Sequence, residues 1–434
     1  MNLYSELEWR GLVYEASEGV QEVLAREKVT AYIGFDPTAP SLHVGSLLQI
    51  LALARLRRFG HSVVALVGGG TGLIGDPSGK AGERLLLDHK RVQQNALAVR
   101  EQLSAILASA SRQMRLQKTM AGIRQGKLRF VDNARWLRKT TAIQFMRDVG
   151  KHFTVNSMLS KESVKRRLDG REGISYTEFS YLLLQAYDFL ELNKRYKCSL
   201  QLGGSDQWGN ITAGMDLVRR VTNAKTHGLV LPLVTTSSGT KFGKTEAGTI
   251  WLDPKLTRPY EFYQFWLNTD DRDAVKYLKF FTYLPQEQIA ELDAATAREP
   301  ERRHAQREVA RQVTSLVHGE AAVRDAEAAA KTLFSGDLAS MSVSQLLQVF
   351  PNVPSATTAF ASDGWPVVEL LALSRVTRSK GEATRLIRSG GIYVNGHRII
   401  DEKLRLRPDD AVEGQLFVVR KGKRDNFLIR IVRG

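Results

Sequence analysis

The apolar run Val29 to Ile33 breaks at Gly34-Phe35-Asp36-Pro37-Thr38-Ala39-Pro40-Ser41-Leu42-His43-Val44-Gly45, and a helical pattern, Leu47 to Phe59, follows at once. A strand, a Gly/Pro turn and a helix start in that order commit the region to an α/β layer architecture. The alternation continues: strand Val29–Phe35, helix His43–Phe59, strand Ser62–Val67, helix Asp88–Ser109. From Asn133 to Leu192 the pattern is mostly helical, with Phe145, Phe153, Phe179 and Phe189 as apolar anchors. Strand and helix signals then resume at Ser199–Leu202, Asn210–Val221 and Leu229–Val234. The expected fold is a parallel sheet with helices on its faces, a helical insertion of about 133–192 between its two halves, and one or two amphipathic helices before it in residues 1–28.

At 434 residues the chain exceeds what one core normally serves. Residues 256–349 read as an all-α unit, and the Pro, Ser and Thr of 350–364 read as a linker. From Trp365 a compact unit follows, with helices Val367–Leu373 and Lys380–Ser389 and a hairpin turning at Asn395-Gly396 between Ile392–Val394 and Arg398–Ile400. The expected domains are therefore 1–255, 256–349, the linker 350–364, and 365–434.

Charge narrows the partners. The chain carries 62 Lys and Arg against 46 Asp and Glu, a net +16, which favours a polyanion such as nucleic acid. Residues 365–434 hold 15 Lys and Arg against 8 Asp and Glu. Arg375, Arg378, Lys380, Arg385 and Arg388 cluster on or before one short helix, and Lys421-Gly422-Lys423-Arg424 adds a second basic patch. Beside a small hairpin this concentration favours phosphate contacts with structured RNA. One cysteine, Cys198, excludes an internal disulfide and any Cys-built zinc site. No apolar run approaches the roughly 18 residues of a membrane span. Glu6, Glu8, Glu15, Glu18, Glu22 and Glu27 argue against a signal or transit peptide. The expectation is a soluble cytoplasmic protein.

Two separated segments carry the chemistry. His43 and Gly45 stand where a strand passes into a helix N-terminus, where amides and the helix dipole favour phosphate. Lys241-Phe242-Gly243-Lys244-Thr245 lies in the Gly-, Ser- and Thr-rich stretch Thr235–Gly248. A loop of that composition is mobile and cationic, suited to closing over a polyphosphate. Either segment alone has a bland reading, a capping histidine or a solvated lysine pair; the two in this order suggest nucleotide activation without a Walker loop. Gly70-x-Gly72-x-x-Gly75 matches the dinucleotide fingerprint by letter, but Asp76-Pro77-Ser78-Gly79 forms a turn where that motif opens a helix. It reads better as a glycine-rich wall beside a ligand. Tyr181, Gln185 and Asp188 fall on one helical face among leucines and aromatics, which favours a pocket lining over a solvated stripe. Gly203-Gly204-Ser205-Asp206-Gln207-Trp208-Gly209-Asn210 follows a strand and opens a helix, as a capped turn or as a polar binding loop.

With these residues in view, the chain closely resembles the bacterial-type tyrosyl-tRNA synthetase family of class I aminoacyl-tRNA synthetases, over essentially its whole length. His43-Val44-Gly45-Ser46 is similar to the class I His-Ile-Gly-His motif, and Lys241 to Thr245 to its Lys-Met-Ser-Lys-Ser loop. The block Tyr32-x-Gly34-Phe35-Asp36-Pro37-Thr38, together with Gly68–Lys80, Tyr181–Asp188 and Gly203–Asn210, is more specific to the tyrosine enzyme. The C-terminal unit resembles the small RNA-binding domain of the ribosomal S-four protein.

The resemblance implies a Rossmann-like α/β catalytic domain with a helical insertion, an all-α domain on the anticodon side and a small α+β RNA-binding domain. It implies a homodimer, ATP as substrate with Mg²⁺ carried by the ATP, and no tightly bound metal. It places Tyr32 and Asp188 on the tyrosine phenol, Asp76, Tyr181 and Gln185 on its α-amino group, and Gln207 near its carboxylate. His43, Lys241, Lys244 and Thr245 would stabilise the α-phosphate and the departing pyrophosphate. Gly34, Asp36, Thr38, Gly45, Ser46, Gly204 and Asp206 would line the adenylate site, and the five cationic residues from Arg375 to Arg388 would meet tRNA(Tyr). Two positions depart from the family pattern: Ser46 replaces the second histidine, and Ile33 stands where a ribose-contacting cysteine is common. Two other readings stay open at this point, an RNA-binding protein that kept the fold without activation and, more distantly, an NAD-dependent oxidoreductase.

Overall fold

The computed structural model describes residues 2–78, 86–116, 124–170, 173–237, 239, 242–245, 248–335, 338, 341–350, 353–422 and 425–432. They fall into two compact units, Met1–Thr257 with Phe265–Val317, and Arg258–Gln264 with His318–Gly434.

The first unit is built on a six-stranded sheet: β1 (Glu15–Ala16), β2 (Thr30–Phe35), β3 (Ser62–Val67), β4 (Leu128–Asp132), β5 (Cys198–Gly204) and β6 (His227–Leu231). Its order is β1-β6-β5-β2-β3-β4, parallel throughout except for β1, which runs antiparallel to β6. The short helices α1 (Leu3–Trp9) and α2 (Val20–Arg26) flank β1 in sequence. β3 and β6 are almost wholly buried, as strands covered on both faces should be. The chain leaves β2 through α3 (Val44–Arg58) to β3, then through α4 (His89–Leu116) to β4. Five helices follow before β5: α5 (Ala134–Leu137), α6 (Ala142–Asp148), α7 (Val155–Leu159), α8 (Glu162–Leu168) and α9 (Tyr176–Tyr196). α10 (Trp208–Thr222) then joins β5 to β6.

The helical insertion thus sends the chain from one edge of the sheet back to its middle, so β5 pairs with β2, the strand that began the other half. The two halves wind away from each other at β2 and β5, and the carboxyl ends of these strands open a crevice. Beneath it Tyr32, Val64 and Leu66 of the sheet pack with Phe189, Leu190 and Leu192 of α9 and with Leu217 and Val218 of α10. After β6 the chain forms a small hairpin, β7 (Lys244–Thr245) with β8 (Gly248–Thr249), and then α11 (Pro259–Leu267), α12 (Asp271–Phe281), α13 (Gln286–Arg298) and α14 (His304–His318).

The second unit contains α15 (Glu320–Ser335), α16 (Val343–Val349), α17 (Val367–Leu373) and α18 (Lys380–Arg388). Its five-stranded sheet has the order β12-β11-β14-β15-β9, from β9 (Ser355–Ala359), β11 (Ile392–Val394), β12 (His397–Arg398), β14 (Leu416–Lys421) and β15 (Asp425–Val432). A separate pair is formed by β10 (Trp365–Pro366) and β13 (Arg405–Leu406). One sheet face packs Ile392, Val394, Phe417 and Ile429 against α17 and α18, and the other packs Leu416, Val418 and Leu428 against Leu346 and Phe350. The hairpin turns at Asn395-Gly396 as the sequence indicates, with both residues at positive φ, 47° and 90°, the geometry of a two-residue primed turn.

The structure redraws the sequence-based boundaries. Residues 256–349 are helical but do not form one unit: α12 and α13 belong with the first sheet, α15 and α16 with the second. Part of the linker assigned to 350–364 is strand β9, which pairs in parallel with β15 from Ser355↔Leu428 to Ala359↔Val432. Its small polar residues resemble a linker because an edge strand need not be apolar on both faces.

Candidate functional site

The crevice at the ends of β2 and β5 is a cavity of about 190 Å³, far larger than one water molecule requires. Residues from several separate sequence segments line it, among them Asp36, Asp76, Tyr181, Asp188, Asp206 and Gln207. Among the described residues its lining holds four aspartates and no lysine or arginine. Such a cavity suits an ammonium group and hydroxyl donors, and disfavours phosphate, so a nucleotide here would have to direct its phosphates outward.

The floor is a buried phenol-and-carboxyl pair. Tyr32, pointing down from β2, has a buried hydroxyl without a hydrogen-bond partner. Asp188 of α9 accepts from Asn133 Nδ2 at 2.9 Å and from Trp136 Nε1 at 2.8 Å. Burial raises the Asp188 pKa to about 8 against those two hydrogen bonds, and the charges of Asp36 and Asp132 add to the rise. Burial, with Asp188 beside it, also holds the Tyr32 hydroxyl well above its ordinary value. A hydroxyl-bearing ring entering between the two would find an acceptor and a donor already dehydrated.

Two turns up α9, Tyr181 donates to Asp36 Oδ2 at 2.8 Å, and Thr71 donates to the other oxygen at 2.7 Å. Burial first, then Asp36, raises the Tyr181 pKa well above the ordinary value. The glycine-rich wall makes this possible: a Cβ on Gly68 would lie 1.9 Å from Asp36 Oδ1. No helix opens there, only the single turn Thr71–Leu73, which removes the dinucleotide reading of Gly70–Gly75. Across the cavity Gln207 Nε2 donates to Asp76 Oδ2 at 2.6 Å, and Gln207 Oε1 accepts from Gln185 at 3.2 Å and from Asn210 at 3.2 Å. Asp76 Oδ1 meanwhile accepts from the Ser78 amide at 2.9 Å. Gly34 and Thr38 complete the rim. Gly203 lines the cavity while Gly204, beside it, is buried in the strand end, where a Cβ would lie 2.6 Å from Asp206 Oδ1.

His43 caps α3. Its backbone is extended and its Nδ1 accepts from the Gly45 amide at 3.0 Å, which leaves Nε2 to carry the proton in the neutral ring. Gly45 is needed because a Cβ there would come within 2.7 Å of the imidazole. Ser46 occupies the first turn of α3, and Gln49, one turn on, reaches the cavity. The lysine segment comes to this same helix end. Val44 N donates to Ile250 O at 3.1 Å, Ile250 N to Gly243 O at 3.0 Å, and His43 bridges to Trp251. Lys244 and Thr245 form β7; Lys241 lies outside the described residues. Among the described residues no group of three or more His, Cys, Asp or Glu could hold a metal ion.

Sequence reasoning missed several lining residues. Asn133 and Trp136 fix Asp188, Thr71 fixes Asp36, and Gln201, 2% exposed with its Oε1 unpartnered, stands beside Tyr32 across the β2–β5 register. A lone amide in the apolar strand Cys198–Leu202 was the available signal for Gln201; the others carry none without the fold. In the second unit Arg375, Arg378, Lys380, Arg385 and Arg388 are all exposed. Lys380 is paired to Glu369 at 2.5 Å, and Arg388 is paired to Glu402 through two bonds of 2.7 and 2.9 Å.

A crevice at the strand reversal, with a capping histidine and a lysine segment meeting at one helix end, is the arrangement of a class I synthetase. The comparisons with known proteins agree. Residues 24–335 match the model of the class I tRNA synthetases (W and Y), and residues 345–429 match the tyrosine–tRNA ligase C-terminal domain. The chain is 52% identical over 433 residues to the tyrosine–tRNA ligase of Roseiflexus castenholzii, covering 99% of both, and 48% identical over 435 residues to that of Geobacillus stearothermophilus, covering 99% of this chain and all of the relative. Among solved structures, a C-terminally truncated Aspergillus nidulans mitochondrial tyrosyl-tRNA synthetase matches with a TM-score of 0.70 at 32% identity, over 77% of this chain and 94% of that one. The chain belongs to the tyrosine–tRNA ligase family of class I tRNA synthetases. No helix among the described residues is long and apolar enough to cross a membrane.

Proposed function

We propose that the chain carries out the reaction of its family at this crevice, with the roles of its residues set by the cavity's charge. L-tyrosine and ATP give tyrosyl-AMP and pyrophosphate, and the tyrosyl group then passes to the 3′-terminal ribose of tRNA(Tyr). The observation that carries the reading is the cavity lined by four aspartates and ending in Tyr32 and Asp188. The tyrosine phenol sits between those two groups, and its ammonium meets Asp76, Tyr181 and Gln185. Gln207 lies near the carboxylate. That carboxylate, already ionised, attacks the α-phosphorus of ATP; one P–O bond forms, the bond to pyrophosphate breaks, and no general base is required. Gly34, Asp36, Thr38, Gly204 and Asp206 hold the adenylate, with Gly45 and Ser46 at the helix end.

The phosphates then lie outside the acidic lining, at the N-terminus of α3, where His43 Nε2 can donate. Lys241, Lys244 and Thr245 supply charge as it develops on the α-phosphate and the pyrophosphate, so catalysis comes from alignment and fixed charge. Mg²⁺ arrives as part of the ATP substrate. Ile33 offers no side-chain hydrogen bond, which leaves the ribose to Asp206 and its neighbours. Pyrophosphate exchange run across the amino acids tests the assignment: exchange with tyrosine alone is expected, and no exchange with any amino acid would leave only an RNA-binding protein of this fold.

We further propose a homodimer that works in the cytoplasm. The exposed apolar side chains Ile143, Met146, Val155 and Tyr176 of the helical insertion support self-association through that segment. Light scattering should return twice the chain mass, and one mass should return for Ile143→Asp combined with Tyr176→Asp. The basic residues Arg375, Arg378, Lys380, Arg385 and Arg388 meet tRNA phosphates in this reading.

A further inference from the structure

Helix α12 contributes no residue to the crevice, yet one of its faces holds the lysine segment at two points. Asp273, 4% exposed, accepts from the Ser237 amide at 2.8 Å, ahead of the lysines. Phe242, between Lys241 and Gly243, is buried and stacks on Phe281 at 5.4 Å with 13° between the rings. Tyr277 meets the same ring edge-on at 5.1 Å. Asp273, Tyr277 and Phe281 are spaced four residues apart, one stripe along the helix. On its other side the segment meets α3: Gly243 has a φ of +78°, and a Cβ there would lie 2.5 Å from Val44 Cγ2.

The far end of α12 is fixed in an unusual way. Its terminal carbonyls receive two buried guanidinium groups. Arg10 of α1 donates to Lys279 O at 3.0 Å, Thr282 O at 3.2 Å and Leu284 O at 2.8 Å, while Glu6 accepts from its Nε at 2.7 Å. Arg55 of α3 donates to Phe280 O and Thr282 O, each at 2.9 Å. Cations at a helix C-terminus satisfy orphan carbonyls and oppose the dipole. Two of them on one helix end, with one carboxylate between them, cost desolvation that a merely packed helix would avoid. Arg55 lies on the helix whose N-cap is His43.

We propose that α12 is a positioning element for tyrosine activation: Arg55 locks it to α3 and Arg10 to the end of α1, and its Asp273–Tyr277–Phe281 stripe holds Phe242 so that the lysine segment stands against the His43 helix end. Phe242, Asp273, Arg10 and Arg55 are positioning residues, acting through the lysines. The inference rests on the role proposed above for Lys244, so Lys244→Ala is carried alongside as its separate check.

The test measures single-turnover tyrosyl-AMP formation, equilibrium tyrosine binding and thermal melting on the full chain. Phe242→Ala is expected to slow adenylate formation at least tenfold while the tyrosine Kd changes less than twofold, and Phe242→Leu to recover most of the rate. Asp273→Ala, which removes one hydrogen bond and keeps the helix, should slow the step severalfold with the same split, and it decides the matter if Phe242→Ala does not fold. Arg10→Met should slow the step with tyrosine binding intact, and Arg10→Lys should restore part of it. If Lys244→Ala collapses the rate while Phe242→Ala and Asp273→Ala keep it within twofold of wild type, α12 does not position the segment. Tyrosine affinity falling in step with the rate would likewise overturn the proposal, since it would mark general disruption. An unchanged rate in Lys244→Ala would overturn the role of the segment itself, and that of α12 with it.

Discussion

The crevice of the first unit and the basic helix of the second are built for opposite kinds of contact. In the crevice the carboxyls are buried or half-buried, with Asp188 engaged by Asn133 and Trp136, Asp36 by Tyr181 and Thr71, and Asp76 by Gln207. On α18 and its approach the cations are exposed, and two of the five are matched by acids at the surface. The first arrangement spends folding energy to prepare dehydrated partners, so it discriminates by what is left unpaired when the wrong ligand enters. The second leaves water and salt in place, so it attracts a polyanion without reading it closely. On the roles proposed for these residues, selectivity for the amino acid and affinity for the nucleic acid would reside in different units.

The sharpest break in that comparison is Lys244→Ala. A charge used mainly as pyrophosphate departs belongs to neither mode, because it acts on the transition state. Adenylate formation should fall on the order of 100-fold or more, the scale of removing one preorganised stabilising donor, with tyrosine binding retained. Rapid-quench measurement with labelled ATP checks it, and an unchanged rate would remove the segment from the chemistry.

Next in size are the phenol partners. Asp188→Asn and Tyr32→Phe should each cut the preference for tyrosine over phenylalanine by about 1–3 kcal/mol, the cost of one unpaired buried group. A site built to hydrogen-bond a hydroxyl rejects the analogue that lacks it, a behaviour for which tyrosine-specific synthetases are themselves the standard example. The ratio of activation efficiencies for the two amino acids is the measurement; a wild-type ratio in both variants would place the phenol elsewhere.

How far the sequence could be read follows from the range of the interactions involved. Strands such as Ser62–Val67 and the helix over Val367–Leu373 are legible because their patterns are local. β1 and β9 are not, because Glu15–Ala16 and Ser355–Ala359 become strands only by pairing with β6 and β15, more than 70 residues away in each case. β4, with Arg129 and Asp132 among its five residues, hides as a half-polar edge strand. The site divides the same way. His43, Tyr181, Gln185 and Asp188 announce themselves by spacing or resemblance, whereas Asn133 and Trp136 matter only because the fold carries them to Asp188. Phe242 looks like a spacer between lysine and glycine until α12 is in place.

On the basic side a smaller effect is expected. Arg375→Ala, Arg378→Ala and Arg385→Ala combined should weaken tRNA charging about tenfold, leave pyrophosphate exchange unchanged, and lower the slope of log K against log salt by roughly one per contact removed. Arg388→Ala should do less, since Glu402 already neutralises that guanidinium through two bonds. If Arg388→Ala matches the triple variant, the ion pair opens on binding and the surface is less passive than the comparison holds.

The last effect sits at the centre of the crevice and is read by pH. Without tyrosine, folded Asp188 keeps its proton up to about 8, whereas in the unfolded chain it loses it near 3.8. Between those values the native state binds one more proton than the unfolded state, so this group's contribution to stability declines as pH rises, by at most about 1.4 kcal/mol per pH unit. Asp188→Asn removes the titration. Whatever constant offset the amide introduces against Asn133 and Trp136, the melting temperature of the variant minus that of the wild type should therefore grow more positive from pH 4 to pH 8. His61, held neutral by burial with a pKa near 4, titrates equally in both proteins and cancels in the difference. A difference that stays flat across the window would mean that Asp188 is ionised in the empty crevice. The group waiting for the phenol would then be a carboxylate acceptor already charged, and the desolvation cost of tyrosine recognition would have been met by the fold before the ligand arrives.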